Sequence, residues 1–247
     1  MSFLYQEILY RPLLNALVFL YNTVGFHDLG IAIILVTLLI RIVLFPLFHK
    51  STRHQLIMQH LQPKVRKIQQ EYKSDMKRQG EAMMQLYKEY GINPFSGFGF
   101  LIIQVLILIP LYSIFRNIFA ADAFAKLYAF VSPPGVLHET LLDLINLKSH
   151  GMLTLSFLVV IAAAIAQFVQ VRMSLPKKHA GPEPQAEQMN RMMMVMGPVL
   201  TLIIFSNLPA AVSLYWLTTS VFSIIQQNII TKQLEHGKLG DIHESSG

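Results

Sequence analysis

An all-α, polytopic membrane protein is the fold class the sequence predicts, and three observations predict it. Charged residues make up 14% of the chain against 53% hydrophobic, where an average soluble domain carries about 25% charged. Those charges cluster, leaving uncharged apolar runs of about 20 residues, the length at which a helix spans a bilayer core. The runs are too long for the alternating strands of an outer-membrane barrel, which are about 10 residues each. With no cysteine in the chain, disulfides, thiolate zinc sites and cysteine nucleophiles are excluded.

Residues 1–27 form the first element. Ile8 to Phe26 is apolar but carries Arg11, Pro12, Asn15 and Asn22, and it lacks the basic start and small-residue cleavage site of a signal peptide. Leu13, Leu14, Leu17, Leu20 and Tyr21 recur on one helical face. This predicts an interfacial amphipathic helix on the outside, with a sixth crossing as the competing reading. Residues 28–236 form the core. Its first crossing is Leu29–Phe48, 20 residues broken only by Arg41; its second is Phe95–Phe115, 21 residues without charge. Met152–Val171 is the third, interrupted only by Gln167 and Gln170. Met192 to Ile230 is uncharged over 39 residues, too long for one crossing, and Asn207-Leu208-Pro209 in its middle is turn chemistry. It therefore divides into Met192–Ser206 and Ala210–Ile230, the fourth and fifth crossings. The fourth, taken at 15 residues, is about 22 Å of helix, short of a bilayer core. Either the bilayer thins there or the helix starts earlier.

Orientation follows from the basic residues, which accumulate in cytoplasmic connections. Nine lie in His49–Pro94, four in Arg172–Arg191 and two after Ile230, all on one side; four (Arg11, Arg116, Lys126, Lys148) lie on the other. The N-terminus is expected outside and the C-terminus in the cytoplasm, with residues 237–247 as a cytoplasmic tail. Between the first two crossings, Leu56, Met58, Leu61, Val65, Ile68, Tyr72 and Met76 form an apolar stripe, and a second runs after Gly80 through Met83, Met84, Leu86 and Tyr87. Residues 50–93 are accordingly a cytoplasmic hairpin of two helices. Lys64, Arg66, Lys67, Lys73, Lys77 and Arg78 on it suit contact with ribosomal RNA or anionic lipid. Lys177 to Gln188, bracketed by Pro176, Pro182 and Pro184, reads as a mobile loop.

Arg41 is the outlier. A guanidinium inside a span costs several kcal/mol, and such residues are functional candidates by default; snorkelling to the interface is the blander account. Thr37, one turn earlier, extends the polar stripe inward, and all acidic residues lie outside the five crossings. The charge must then be met by water, hydroxyls or backbone carbonyls, which implies a hydrated cavity open to the cytoplasm. Gln104, Gln167, Gln170, Tyr215, Trp216 and Thr219 are further candidates for lining it; each alone is explained equally well as helix–helix glue. The methionines of the hairpin and the fourth crossing suit either varied apolar partners or gap-filling in a core.

These residues resemble the YidC family of membrane protein insertases, in its short form without the large periplasmic domain. Gln62-Pro63-Lys64, Glu81-Ala82-Met83-Met84-Gln85-Leu86-Tyr87-Lys88 and Asn93-Pro94-Phe95-Ser96-Gly97 carry the resemblance, with Ile103-Gln104, Leu111-Tyr112, Leu208-Pro209-Ala210-Ala211, Leu214-Tyr215-Trp216 and Ile225-Gln226-Gln227. It covers about Gly30 to Glu235. Where the family usually has prolines in the second crossing this chain has Phe100 and Leu106, with Pro110 a turn later.

The resemblance implies five spans, a cytoplasmic hairpin, a preceding amphipathic helix and a bacterial plasma-membrane location. It also implies a hydrophilic groove around one arginine, which by motif position is Arg41, with Thr37 as the groove hydroxyl. The expected function is insertion and chaperoning of nascent membrane proteins, with no enzymatic reaction and no cofactor or metal. Expected partners are nascent membrane chains, the ribosome and anionic lipids, with a Sec-type translocase as a further candidate and the protein itself a monomer. A secondary transporter or channel is the alternative, but it would need intramembrane carboxylates or paired broken helices. An intramembrane enzyme would need a base beside its serines.

Overall fold

The computed structural model describes residues 3, 5–91, 93, 96–120, 122–152, 154–175 and 184–237, and helices dominate them. A π-type turn, Tyr5–Tyr10, leads into α1, Arg11–Thr23. The face it buries is Leu14, Leu17, Val18 and Tyr21, with Leu13 and Leu20 only partly covered. Its polar residues hold the loop around residues 126–138. The Asn15 amide donates to Lys126 O at 3.2 Å and its oxygen accepts from Tyr128 N–H at 2.6 Å. The Tyr21 hydroxyl donates to Val136 O at 3.0 Å and accepts from His138 N–H at 2.9 Å, while Asn22 donates to Ser132 O at 2.7 Å.

Helix α2, Leu29–Val43, is capped by Asp28, whose carboxylate accepts from Ile31 N–H at 2.8 Å and from Leu142 N–H at 2.6 Å. That is ordinary N-cap chemistry. The run expected to cross at Leu29–Phe48 is not one straight helix. The helix ends at Val43, and α3, Phe45–Glu71, leaves at 72°. Pro46 explains the break: without an N–H it cannot donate to the carbonyl of Ile42, and its ring crowds the preceding turn.

The hairpin boundary also moves. Helix α4 runs Met76–Glu89 with Asp75 capping Arg78 N–H at 3.0 Å, so the turn lies at Tyr72–Asp75 and Gly80 is inside the helix. Met76, placed on the first apolar stripe by its spacing, is 75% exposed. The seam between the two helices is Leu56, Ile57, Leu61 and Val65 against Leu86 and Tyr87, and Ile230 from the last helix joins it.

Helix α5, Ser96–Asn117, contains Pro110; the expected start of this crossing at Phe95 lies outside the described residues. A loop follows with a two-residue antiparallel pair, β1 (Thr140–Leu141) and β2 (Ile145–Asn146), which pairs Thr140 with Asn146 and Leu141 with Ile145. Helix α6 is Phe157–Ser174, α7 is Pro184–Phe205 and α8 is Ala210–Gly237. Of the two accounts of the short fourth run, the earlier helix start is what forms: α7 has 22 residues and begins at Pro184, inside the stretch expected to be a mobile loop. Proline suits the opening of a helix, where a missing N–H is not needed. Residues 177–183 of that loop and 238–247 of the tail lie outside the described residues.

Helix α6 packs on α7 and α8, α8 on α2, and α1 on α2. One apolar core runs from α1 through Ile33 and Val36 of α2 and Leu111 and Ile114 of α5 to Leu214 and Tyr215 of α8. Among the described residues α6 is long and apolar enough to cross a membrane as one straight helix, and α2 with α3 meets the same test as a bent pair.

Candidate functional site

Thr37 and Arg41 stand one turn apart on α2 and are both buried, Arg41 to 3% exposure. Thr37 spends its hydroxyl proton on Ile33 O at 2.6 Å, as threonines inside helices commonly do. The guanidinium reaches across to α5, where Arg41 Nη2 donates to Gln104 Oε1 at 3.5 Å, a long contact. Gln104 then donates through Nε2 to the Tyr215 hydroxyl of α8 at 3.0 Å. Three helices are thereby joined by one polar chain. Thr219, one turn beyond Tyr215, is buried beside it. Arg11–Glu7, Arg78–Asp75 and Lys148–Glu139 are ion pairs, and none of them is at Arg41.

Two aromatic rings complete the surroundings. The Arg41 Cζ lies 4.4 Å from the ring centroid of Phe48 and 5.9 Å from that of Phe222, within cation–π range. Sequence reasoning did not include either. Phe222 had a readable signal, since it continues the Tyr215–Thr219 stripe at the next helical turn. Phe48 did not, because its approach depends on the bend at Leu44.

The remaining predicted residues do not join this cluster. Trp216 lies on a different face of α8 from Tyr215, edge-on to Phe205 at 5.4 Å and 87°. It lines a cavity of about 530 Å³ with Leu108 and Tyr112 of α5, Gln167 of α6, and Leu200 and Thr201 of α7. The walls are almost wholly apolar, because Thr201 and Gln167 hydrogen-bond each other. Close approach of α7 to α6 is set at Gly197, where a Cβ would stand 3.3 Å from Gln167 Nε2. Gln170 is half-buried on α6 and does not line that cavity. The residues expected along one groove thus fall into a polar cluster (Thr37, Arg41, Gln104, Tyr215, Thr219) and an apolar cavity (Gln167, Trp216), with α5 and α8 contributing to both.

On the hairpin, Lys64, Lys67, Lys73, Lys77 and Arg78 are exposed and Arg66 half-exposed around the buried seam. Lys64 donates to the Tyr90 hydroxyl and lies 4.7 Å from the Tyr90 ring centroid. Arg78 pairs with Asp75 at 3.3 Å in solvent, where such pairs contribute little.

Residues 19–237 match the family model described as 60Kd inner membrane protein. The chain belongs to the 60Kd inner membrane protein family. A relative from Clostridium tetani, named membrane protein insertase YidC, is 35% identical over 209 residues, 85% of this chain and 84% of the relative. Proteins of the same name from Geobacter metallireducens (29% over 227 residues) and Francisella philomiragia (34% over 206 residues) match 92% and 83% of this chain. Of these two longer relatives the chain spans 37% and 33% of the length. The YidC resemblance drawn from the motifs is thus matched over most of the chain, in a family described as inner-membrane.

Proposed function

We propose that this chain is a membrane protein insertase and chaperone, working without a cofactor and without an enzymatic reaction. The observation that carries the proposal is a buried arginine that, among the described residues, has no carboxylate paired to it and is held by three helices beside an apolar cavity bounded by α5, α7 and α8. Arg41 supplies a fixed positive charge where water is scarce, so it attracts acidic residues of a polar stretch entering the bilayer. Thr37, Gln104, Tyr215 and Thr219 provide hydroxyl and amide groups around that stretch. The apolar segment attached to it lies along the cavity walls near Gln167 and Trp216 and leaves into lipid. Apolar burial in lipid supplies the driving force.

In this reading the core, residues 28–236, crosses the membrane five times in the bacterial plasma membrane, with the outer helix of residues 1–27 in the interface and residues 237–247 in the cytoplasm. Helix α2 with the first turn of α3, then α5, α6, α7 and α8, are the crossings. The basic hairpin faces the cytoplasm and meets ribosomal RNA or anionic lipid, and the working unit is a monomer, alone or beside a Sec-type translocase.

Site-directed crosslinking tests the path. Photoreactive residues at Thr37, Gln167 and Trp216 are expected to capture ribosome-bound nascent membrane chains, while one at Phe130 on the outer loop is not. Absence of crosslinks from all three interior positions would remove the groove as the substrate path.

A further inference from the structure

Among the described residues, four other than glycine hold a positive φ, and they form two adjacent pairs: Phe26 and His27 at 54° and 58°, Leu142 and Asp143 at 54° and 58°. Each pair is the centre of a tight turn. Asp28 N–H donates to Gly25 O at 2.8 Å, and Leu144 N–H donates to Leu141 O at 3.1 Å. Positive φ at both central residues makes these type I′ turns, which favour Asn-Gly and Asp-Gly because a bulky L side chain crowds its own backbone there. Histidine and aspartate tolerate this region better than most residues, whereas phenylalanine and leucine do not. Each turn nevertheless puts a large apolar residue at its first central position.

The strained apolar residues are also exposed: Phe26 is 82% exposed and Leu142 62%, with Leu144 beside it at 70%. One side chain stitches the two turns together. Asp28, which closes the first, accepts from Leu142 N–H of the second at 2.6 Å and from Ile31 N–H of α2 at 2.8 Å. Nearby polar groups are turned away or paired. The Thr140 hydroxyl donates to Asp143 at 3.2 Å, Lys148 pairs with Glu139 at 3.4 Å, and the His27 ring stands edge-on to Tyr21 at 5.6 Å. What remains at the tip is apolar, and it stands where α2 begins, at Leu29. Backbone strain persists only where the surroundings over-determine it, and it clusters at sites with a function.

We propose that the paired turns are a lipid-inserting wedge, with Phe26, Leu142 and Leu144 immersed in the outer leaflet beside the first residues of α2. The inference rests on the proposed reading that α2 crosses the membrane with its N-terminus outside. In that reading the turns stand at the border between headgroups and acyl chains, and lipid is the occupant this border supplies. A specific protein interface buries about 800 Å² on each partner, more than three side chains on two turns offer. Acyl chains need no such area, since each apolar side chain gains on its own by leaving water. The wedge also has a consequence for the site. Arg41 lies about 18 Å along α2 from Leu29, so pinning the outer end of the helix sets the depth of the charge in the bilayer.

The chain has no cysteine, so single-cysteine variants of the full chain report on each position. Phe26→Cys, Leu142→Cys and Leu144→Cys are labelled with a nitrobenzoxadiazole fluorophore and placed in phosphatidylcholine vesicles without substrate. Iodide on both sides of the membrane quenches from water, and nitroxide-bearing lipids quench from the acyl chains. Leu39→Cys, at an exposed position within α2, is the lipid reference, and Ser74→Cys, at an exposed position in the hairpin turn, is the water reference. All three turn positions are expected to be quenched by nitroxide lipid and to be about tenfold less open to iodide than position 74, as burial of one large apolar side chain implies. Iodide access equal to that at position 74, or shielding from both quenchers as in a contact between two copies, would overturn the wedge. Phe26→Asn with Leu142→Asn keeps the turns, because asparagine suits positive φ; in that background the label at position 144 should become as open to iodide as position 74. A label still immersed there would show that the fluorophore, and not the two side chains, seeks lipid, and would equally overturn the wedge. The two readings fail separately: if Leu39→Cys meets lipid and the turns do not, the wedge alone falls, and if Leu39→Cys does not meet lipid, the crossing falls and the wedge with it.

Discussion

Replacing Gly30 by alanine should loosen the outer end of α2, and the size of the effect follows from three distances. A Cβ at residue 30 would stand 2.5 Å from Leu141 Cδ1, 2.6 Å from Leu141 Cβ and 2.9 Å from Leu141 Cα. Rotating the leucine side chain relieves only the first of these, so the β1–β2 turn itself must move. That turn is tied to the same helix end by the Leu142 N–H donated to Asp28 at 2.6 Å. Overpacking costs about 1–3 kcal/mol, and weakening a bond to a carboxylate adds about 1.5 kcal/mol. The better helix propensity of alanine returns at most about 1 kcal/mol. The net loss is about 2–3 kcal/mol, or about 5–10 °C in melting temperature for a chain of this size. Thermal unfolding of the detergent-solubilised chain, followed by the fluorescence of its single tryptophan, Trp216, measures it. Gly80→Ala is the matched control: nothing lies within 4 Å of its Cβ, and alanine there should stabilise the helix by about 0.5–1 kcal/mol. Leu141→Ala in the Gly30→Ala background should rescue little, because alanine at 141 keeps both of the inner carbons that crowd residue 30. A Gly30→Ala protein melting at or above the native temperature, or full rescue by Leu141→Ala, would refute the reasoning.

Tyr21→Phe strips Val136 O and His138 N–H of their partner beneath the outer loop; a loss of about 1–3 kcal/mol is expected, with amide exchange at His138 speeding up. Burial, then the nearby Lys50 and Arg53, hold the His54 pKa below its usual 6.5. Its contribution to stability is therefore full above pH 6.5 and is lost as the pH falls below it. In His54→Gln, the fall in melting temperature between pH 7 and pH 5 should be shallower than in the native protein; an identical slope would exclude His54 as its source.

Much of the fold was legible because apolar length and charge placement report on helices directly. A helix at residues 11–23, a pair of helices over residues 45–89 and a break at Asn207–Pro209 all appear near their predicted places, since each rests on local chemistry. Where the reading failed, a tertiary or stereochemical effect had intervened. Pro46 broke a run whose composition looked continuous, and Asp75 placed the hairpin turn ahead of Gly80 by capping α4. Pro184 opened α7 within a stretch that its prolines had marked as loop. In the candidate site, Thr37, Arg41 and Gln104 were legible because polar groups in apolar runs stand out. Phe48 was hidden by its own apolarity, and Phe222 was marked only by its helical spacing from Tyr215 and Thr219, for nothing in a phenylalanine announces that it faces a charge. Tyr215 and Trp216 were read as one groove lining, but adjacent residues on a helix diverge by about 100°, which points them to different faces of α8.

The central claim is that Arg41 acts by its charge on an entering polar stretch. The most direct measurement is insertion into vesicles of two matched substrates, one with an acidic translocated tail and one with a neutral tail, by the native protein, Arg41→Ala and Arg41→Lys. Arg41→Ala is expected to slow the acidic substrate about tenfold, equivalent to about 1.4 kcal/mol at the barrier, while the neutral one changes little and Arg41→Lys retains most of the rate. Native-level insertion of the acidic substrate by Arg41→Ala, with the variant folded and present in the membrane, would contradict it.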